Sequence, residues 1–145
     1  MHSLKRRFLH RAWSSTEGTS ALEFAIVAPI FFTLVFGILI YGYYFASLSM
    51  LNHIAYESAR ATVTGLSDDE RSMLAHARAT ELIDALDGFI DADAVEVDAA
   101  SAGNGIYAVT VHYQFSTLAL IGAASILPLP PLEQTVRVEM SHGGY

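Results

Sequence analysis

The residue with the clearest chemical consequence is Glu23, a carboxylate placed directly before a long uncharged segment. From Phe24 to Leu51 no residue carries a formal charge. A carboxylate inside a bilayer costs about 2.5–3.5 kcal/mol near the middle of the membrane and less at its edge. The position of Glu23 therefore predicts an interaction that compensates its charge.

The other residues capable of acid–base or metal chemistry are scattered. The histidines show neither an HExxH motif nor a paired ligand spacing, so we interpret them as surface or core residues. They are His2, His10, His53, His76, His112 and His142. Asp91-Ala-Asp93 lacks the Asp-x-Asp-x-Asp-Gly pattern of a calcium loop, which favours a solvated acidic face. No glycine-rich phosphate loop, nucleophile motif or cysteine is present. The sequence predicts no enzymatic activity, no metal site and no cofactor.

The uncharged segment predicts a helix that crosses a membrane. Its 28 positions would extend about 42 Å as an α-helix, more than the ~30 Å hydrocarbon core of a bilayer. The stripe of Leu48, Leu51, Ala55, Ala59 and Val63 predicts that this helix continues beyond the bilayer. Thr64-Gly65 is expected to end it.

Charge is distributed unevenly about this helix. Residues 1–18 contain four basic residues and one acid, whereas the chain from Thr19 onward contains four basic and fourteen acidic residues. Basic residues stay on the cytoplasmic side of a membrane helix. We therefore expect a single-pass protein of the inner membrane with a cytoplasmic N-terminus and a periplasmic C-terminal part. That acidic part also disfavours nucleic acid as a partner.

Several short motifs, in order, resemble one family. Residues 18–29 read Gly-Thr-Ser-Ala-Leu-Glu-Phe-Ala-Ile-Val-Ala-Pro, followed by Phe-Gly-Ile at 36–38, Asn52, and Ala-Tyr-Glu-Ser-Ala-Arg-Ala at 55–61. A glycine, four variable residues and Glu-Phe behind a basic leader resemble the processing site of type IV pilins of the Flp branch. The wider pattern, over about residues 17 to 62, resembles the TadE-like family of minor pseudopilins.

The resemblance implies cleavage between Gly18 and Thr19 by a prepilin peptidase, with Glu23-Phe24 as the processing and assembly motif. A new α-amino group on Thr19 would then pair with Glu23, on the same or an adjacent subunit. Two alternatives remain open from the residues. Gly18 is also compatible with a turn before a helix, and Glu23 with a carboxylate that reaches the headgroups.

The family also implies a function and partners. These are assembly of an Flp-type (tight-adherence) pilus for surface attachment and biofilm formation, with a prepilin peptidase, the major Flp pilin, other minor pseudopilins, an inner-membrane assembly platform and membrane lipid as partners. The alternative is a periplasmic ligand-binding module that the helix only tethers. The mature N-terminus separates the two, because only the first is expected to begin at Thr19.

Small residues along the helix predict close packing between subunits, although they are also compatible with lipid-facing positions. They are Ala21, Ala25, Ala28, Gly42 and Ala46. Pro29 removes one backbone hydrogen bond and is expected to kink or loosen a turn. Tyr41, Tyr43 and Tyr44 are expected to form an aromatic belt at the outer membrane interface.

The remaining patterns predict an α+β fold. Ser67 and Glu70 form a capping box that starts a second helix from about Asp68 to Leu86, with Gly88 as its stop. Period-two alternation then predicts a three-stranded antiparallel sheet, with the arrangement of the third strand left open. The predicted organisation is a leader at 1–18, a transmembrane and extended helix at 19–63, and a periplasmic domain at 64–145.

The apolar segment from Leu118 to Leu132 is too short for a second membrane span and is interrupted by prolines. Two interpretations remain for it: packing over the sheet edge, or contact with another subunit or the membrane.

Overall fold

The computed structural model describes residues 16–115 and 128–141, with side chains from residue 19 onward. Most of the predicted leader and the apolar segment before Pro128 lie outside these residues, as do His2, His10 and His142. The regular elements follow the order α, α, β, β, β. They are α1 (Thr16–Ala61), α2 (Asp68–Asp84), β1 (Val95–Gly103), β2 (Ile106–Gln114) and β3 (Glu133–Ser141). This confirms the predicted α+β fold.

Helix α1 runs for 46 residues without interruption. Pro29 lies inside it, and the Thr33 hydroxyl donates to the Pro29 carbonyl at 2.8 Å. The helix narrows into a 3₁₀ turn at Thr62–Thr64, where the Gly65 amide donates to the Thr62 carbonyl at 3.1 Å. The predicted end of the helix is therefore confirmed.

Helix α2 begins with side-chain caps, as expected, but their partners differ from the prediction. The Ser67 hydroxyl accepts from the Glu70 amide at 3.2 Å. The Glu70 carboxylate accepts from the Leu66 amide at 2.8 Å, one residue earlier than in a standard capping box. The helix ends at Asp84, two residues before the predicted limit, because the chain turns there and the Leu86 amide donates to the Ile83 carbonyl.

The strands form an antiparallel sheet in the order β1-β2-β3, which settles the position of the third strand next to β2. A tight turn joins β1 to β2. Asn104 and Gly105 both have positive φ values, of 51° and 72°, as the two central residues of a type I′ hairpin require. The Phe115 amide donates to the Leu132 carbonyl at 2.7 Å and extends the pairing of β2 and β3.

The core lies between the C-terminal half of α1, helix α2 and one face of the sheet. Leu51 and Ile54 of α1 and Val109 and Val111 of β2 are fully buried in it. The predicted helix stripe is correct except at its last position: Val63 is exposed and Thr62 is buried instead. The change of helix type at Thr62 rotates the following side chains, which explains the difference.

Candidate functional site

The predicted processing site lies in the first turns of α1. Gly18 is the third residue of the helix, and Thr19 and Glu23 are exposed. Side chains four residues apart lie on one face of a helix, so α1 places Glu23 one turn beyond Thr19. Within the described residues Glu23 forms no salt bridge. Phe24 follows with 71% of its surface exposed.

Large apolar side chains cover the N-terminal part of α1 on all sides. Within the described residues α1 is the one helix long and apolar enough to cross a membrane. Its exposed apolar residues include Leu22, Ile26, Val27, Ile30, Phe31, Phe32, Leu34, Phe36, Ile38 and Leu39. A helix that is apolar around its full circumference is typical of a membrane span, and this helix is compatible with a single-pass membrane anchor.

The predicted packing residues form two groups along α1. Ala21, Ala25 and Ala28 lie on one face in successive turns, the first two exposed and the third half-buried. Gly42 and Ala46 follow one turn apart. A methyl group placed on Gly42 would have no atom within 4 Å, so this position has open space beside it.

Three tyrosines bind the helix to the domain at one level, and we call Tyr41, Tyr43 and Tyr44 the tyrosine collar. The Tyr41 hydroxyl donates to the Pro128 carbonyl at 2.8 Å, and the Tyr43 hydroxyl donates to the Phe89 carbonyl at 2.9 Å. The Tyr44 hydroxyl accepts from the Gln134 side-chain amide at 2.8 Å.

Aromatic rings reinforce the tyrosine collar. The Tyr43 ring lies 5.3 Å from that of Phe89, and the Tyr44 ring 5.3 Å from that of Phe115. Tyr113 packs edge-on against Phe115 at 4.7 Å. The sequence identified these tyrosines only as markers of membrane depth. Their contacts with the domain had no signal in the sequence, because Phe89 and Gln134 lie in segments remote from the helix.

Burial also affects the ionisation of one tyrosine behind the collar. Burial, with a smaller contribution from a hydrogen bond with Tyr43, raises the pKa of Tyr113 from 10.0 to about 12. The folded domain therefore keeps a proton that the unfolded chain loses. The stabilisation from neutral Tyr113 is complete below pH about 10 and is lost as the pH rises towards 12.

We expect the Tyr113→Phe variant to lose less stability than the unmodified protein between pH 10 and pH 11.5, because it has no proton to release at that position. Urea unfolding midpoints at a series of pH values measure the effect. Tyr56→Phe, at a position 52% exposed, is the matched control. An equal decrease of the urea midpoint with pH in the unmodified protein and in the Tyr113→Phe variant would contradict the assignment of the raised pKa to Tyr113.

The solvent face of the sheet carries an open cleft of about 400 Å³. Asp93, Glu96, Asp98 and His112 contribute to its lining. The His112 Nδ1 lies 2.9 Å from the Thr135 hydroxyl, and its Nε2 lies 3.8 Å from Asp98. No group of three metal-ligating side chains occurs among the residues that the structure describes.

Comparison with known proteins bears on the helix and not on the sheet. Residues 18–60 match the family model described as TadE-like protein. This match begins at Gly18, contains Glu23 and Phe24, and ends near the end of α1, so the resemblance predicted from the motifs is confirmed for this segment. No curated protein and no solved structure matches the chain.

Proposed function

We propose that this chain, a TadE-like protein over residues 18–60, is a minor pseudopilin of a tight-adherence system. A prepilin peptidase cleaves it between Gly18 and Thr19, and the mature protein keeps α1. It then takes part in assembly of an Flp-type pilus for surface attachment and biofilm formation. Its partners are the peptidase, the major Flp pilin, other minor pseudopilins and an inner-membrane assembly platform. Its role is structural and not enzymatic.

The family match begins in the first turn of the apolar helix α1, and this coincidence is the main support for the proposal. The match begins at the glycine that precedes the proposed cut, and Glu23 follows five residues later. A conventional signal peptide would lose its apolar segment on cleavage, whereas cleavage at Gly18 leaves the whole apolar part of α1 in the product.

Glu23 supports the proposal through its charge. Cleavage would give Thr19 a positive α-amino group one helical turn from the Glu23 carboxylate, and both residues are exposed. An ion pair in a low-dielectric environment recovers much of the desolvation cost, which an unpaired charge does not. The pair would fix the axial register of one helix against another.

Small residues support packing of α1 against other helices. Ala21 and Ala25 are exposed on one face, and Gly42 has free space beside it. Small side chains allow helix backbones to approach closely in a membrane, where van der Waals packing is a main source of association. The basic residues before Thr19 favour a cytoplasmic N-terminus, which would place the acidic domain in the periplasm.

The test separates processing from assembly. In cells that contain the complete secretion system, we expect the unmodified protein and the Glu23→Ala variant both to begin at Thr19 by mass spectrometry. The variant should be depleted at least about tenfold from sheared pilus fractions, the effect of a pairing free energy near 1.4 kcal/mol. Glu96→Ala, which removes an exposed acid outside both the apolar segment and the family match, is the control. An intact Met1 in the unmodified protein would overturn the proposal, and normal incorporation of Glu23→Ala would overturn the pairing.

A second candidate function is a tethered periplasmic binding module, which the cleft on the solvent face of the sheet favours. In that case α1 would serve as an anchor only. The two candidates predict different mature N-termini, because a tether needs no cleavage after Gly18.

A further inference from the structure

The tyrosine collar lies close to one bilayer thickness from Glu23 along α1. Tyr41 follows Glu23 by eighteen positions, which correspond to about 27 Å of helix, compared with the ~30 Å hydrocarbon core of a bilayer. If the carboxylate of Glu23 lies at one surface of the membrane, the collar lies at the other. Tyrosine is enriched at such interfaces, because its ring is apolar and its hydroxyl is polar.

The collar also fixes which part of the domain lies at this level. Tyr41 and Tyr43 are two residues apart, so their side chains leave α1 on nearly opposite sides and differ by only about 3 Å in height. Tyr41 binds Pro128 and Tyr43 binds Phe89. Two separate loops of the domain therefore contact the helix at the same height.

These loops carry apolar side chains. We call Phe89, Pro128, Leu129 and Leu132 the membrane-proximal rim. Pro128 is exposed and the other three are half-buried. Because Phe89 contacts Tyr43 and Pro128 contacts Tyr41, the rim lies at the level of the collar.

Charges beside the rim limit how deeply it can enter a membrane. Asp87, Asp91 and Glu133 flank rim residues in the sequence and are exposed. A carboxylate in the hydrocarbon core is costly, so these groups must stay in the aqueous layer or among the headgroups. The apolar side chains next to them can therefore reach the headgroup region and the upper part of the acyl chains, but no further.

We propose that the membrane-proximal rim is a lipid-binding surface that contacts the headgroup region of the bilayer crossed by α1. The exported domain then lies directly on the membrane, held by the collar, and is not separated from it by a free length of helix. This inference requires α1 to cross a bilayer but does not require cleavage or a pilus, so it can fail independently of the proposed function.

Tryptophan fluorescence in phosphatidylcholine vesicles tests this proposal. The chain contains one tryptophan, Trp13, and Trp13→Phe gives a full-length background without one. Leu129→Trp and Phe89→Trp then report on the rim, Phe32→Trp on the middle of the inserted helix, nine residues from both Glu23 and Tyr41, and Leu66→Trp on the far end of the domain. Leu66 is 91% exposed and follows the end of α1, about 30 Å along the helix from the collar.

Lipids brominated near the headgroup and at mid-chain act as quenchers of different depth. We expect the rim variants to be quenched by the shallow bromines and little by the deep ones, Phe32→Trp by the deep ones, and Leu66→Trp by neither. Because Phe89 packs on Tyr43, Leu129→Trp remains informative if Phe89→Trp disturbs the fold.

Three results would overturn the proposal. The first is quenching of the rim variants as weak as that of Leu66→Trp while Phe32→Trp is quenched. The second is equal quenching of Leu66→Trp and the rim, which would indicate general adsorption of the domain. The third is an unquenched Phe32→Trp, which would remove the premise that α1 crosses the bilayer.

Discussion

Gly18→Val should abolish processing, leaving the chain at its full length with residues 1–18 attached. A protease binds its substrate in extended form, and a glycine before the cut allows close approach of the enzyme because it has no Cβ. Gly18 lies in the first turn of α1, where the backbone amides have no partner within the helix and the end frays. Local unwinding of the helix end costs little free energy. A β-branched side chain at position 18, by contrast, would block entry of the chain into the active site of the peptidase.

Mass spectrometry of the membrane fraction measures the ratio of full-length to mature chain. Ser15→Val is the matched control, because it introduces a β-branched side chain three residues before Gly18 and should leave processing intact. Gly18→Ala should be affected less than Gly18→Val, since it adds a single methyl group. Normal processing of Gly18→Val would show that Gly18 is not the recognition residue.

Leu51→Ala should destabilise the C-terminal domain by about 2–5 kcal/mol, the range for removal of a buried leucine side chain. Leu51 is fully buried on the face of α1 that packs on the sheet, in one core with Val109 and Val111. A small domain without disulfides has a total stability of only about 5–15 kcal/mol. The variant should therefore lose a large part of its folding free energy.

Urea unfolding of the full chain in detergent micelles, followed by near-ultraviolet circular dichroism of the tyrosines, measures this loss. Leu66→Ala removes the same atoms from a position that is 91% exposed and should change stability by less than about 0.5 kcal/mol. Equal midpoints for the two variants would show that α1 does not share the core of the sheet.

The sequence was sufficient to predict the elements whose pattern is local. The caps at Ser67 and the alternating residues of β2 each depend on neighbours a few positions away, and the structure confirms them with small differences. The end of α1 at Gly65 follows in the same way. These features depend on backbone geometry and local burial, which short-range sequence describes well.

The contacts between distant segments could not be predicted in this way. The hydrogen bond from Gln134 to Tyr44 joins residues 90 positions apart, and that from Tyr43 to Phe89 joins residues 46 apart. Nothing in the local sequence marks Gln134 or Phe89 as a partner of these tyrosines, so only the packed fold reveals the two contacts. The processing motif was predicted from its resemblance to a family, and not from a geometry that the domain creates.

The two edge strands of the sheet determine whether it can grow by adding strands from other copies of the chain. Among the described strands, β1 and β3 each have a single pairing neighbour, so each leaves a row of backbone groups without a sheet partner. Exposed charges mark both rows, with Glu96 and Asp98 on one margin and Arg137 and Glu139 on the other. Charged edges oppose the addition of further strands. Polymerisation by lateral growth of the sheet, as in amyloid, is thus disfavoured.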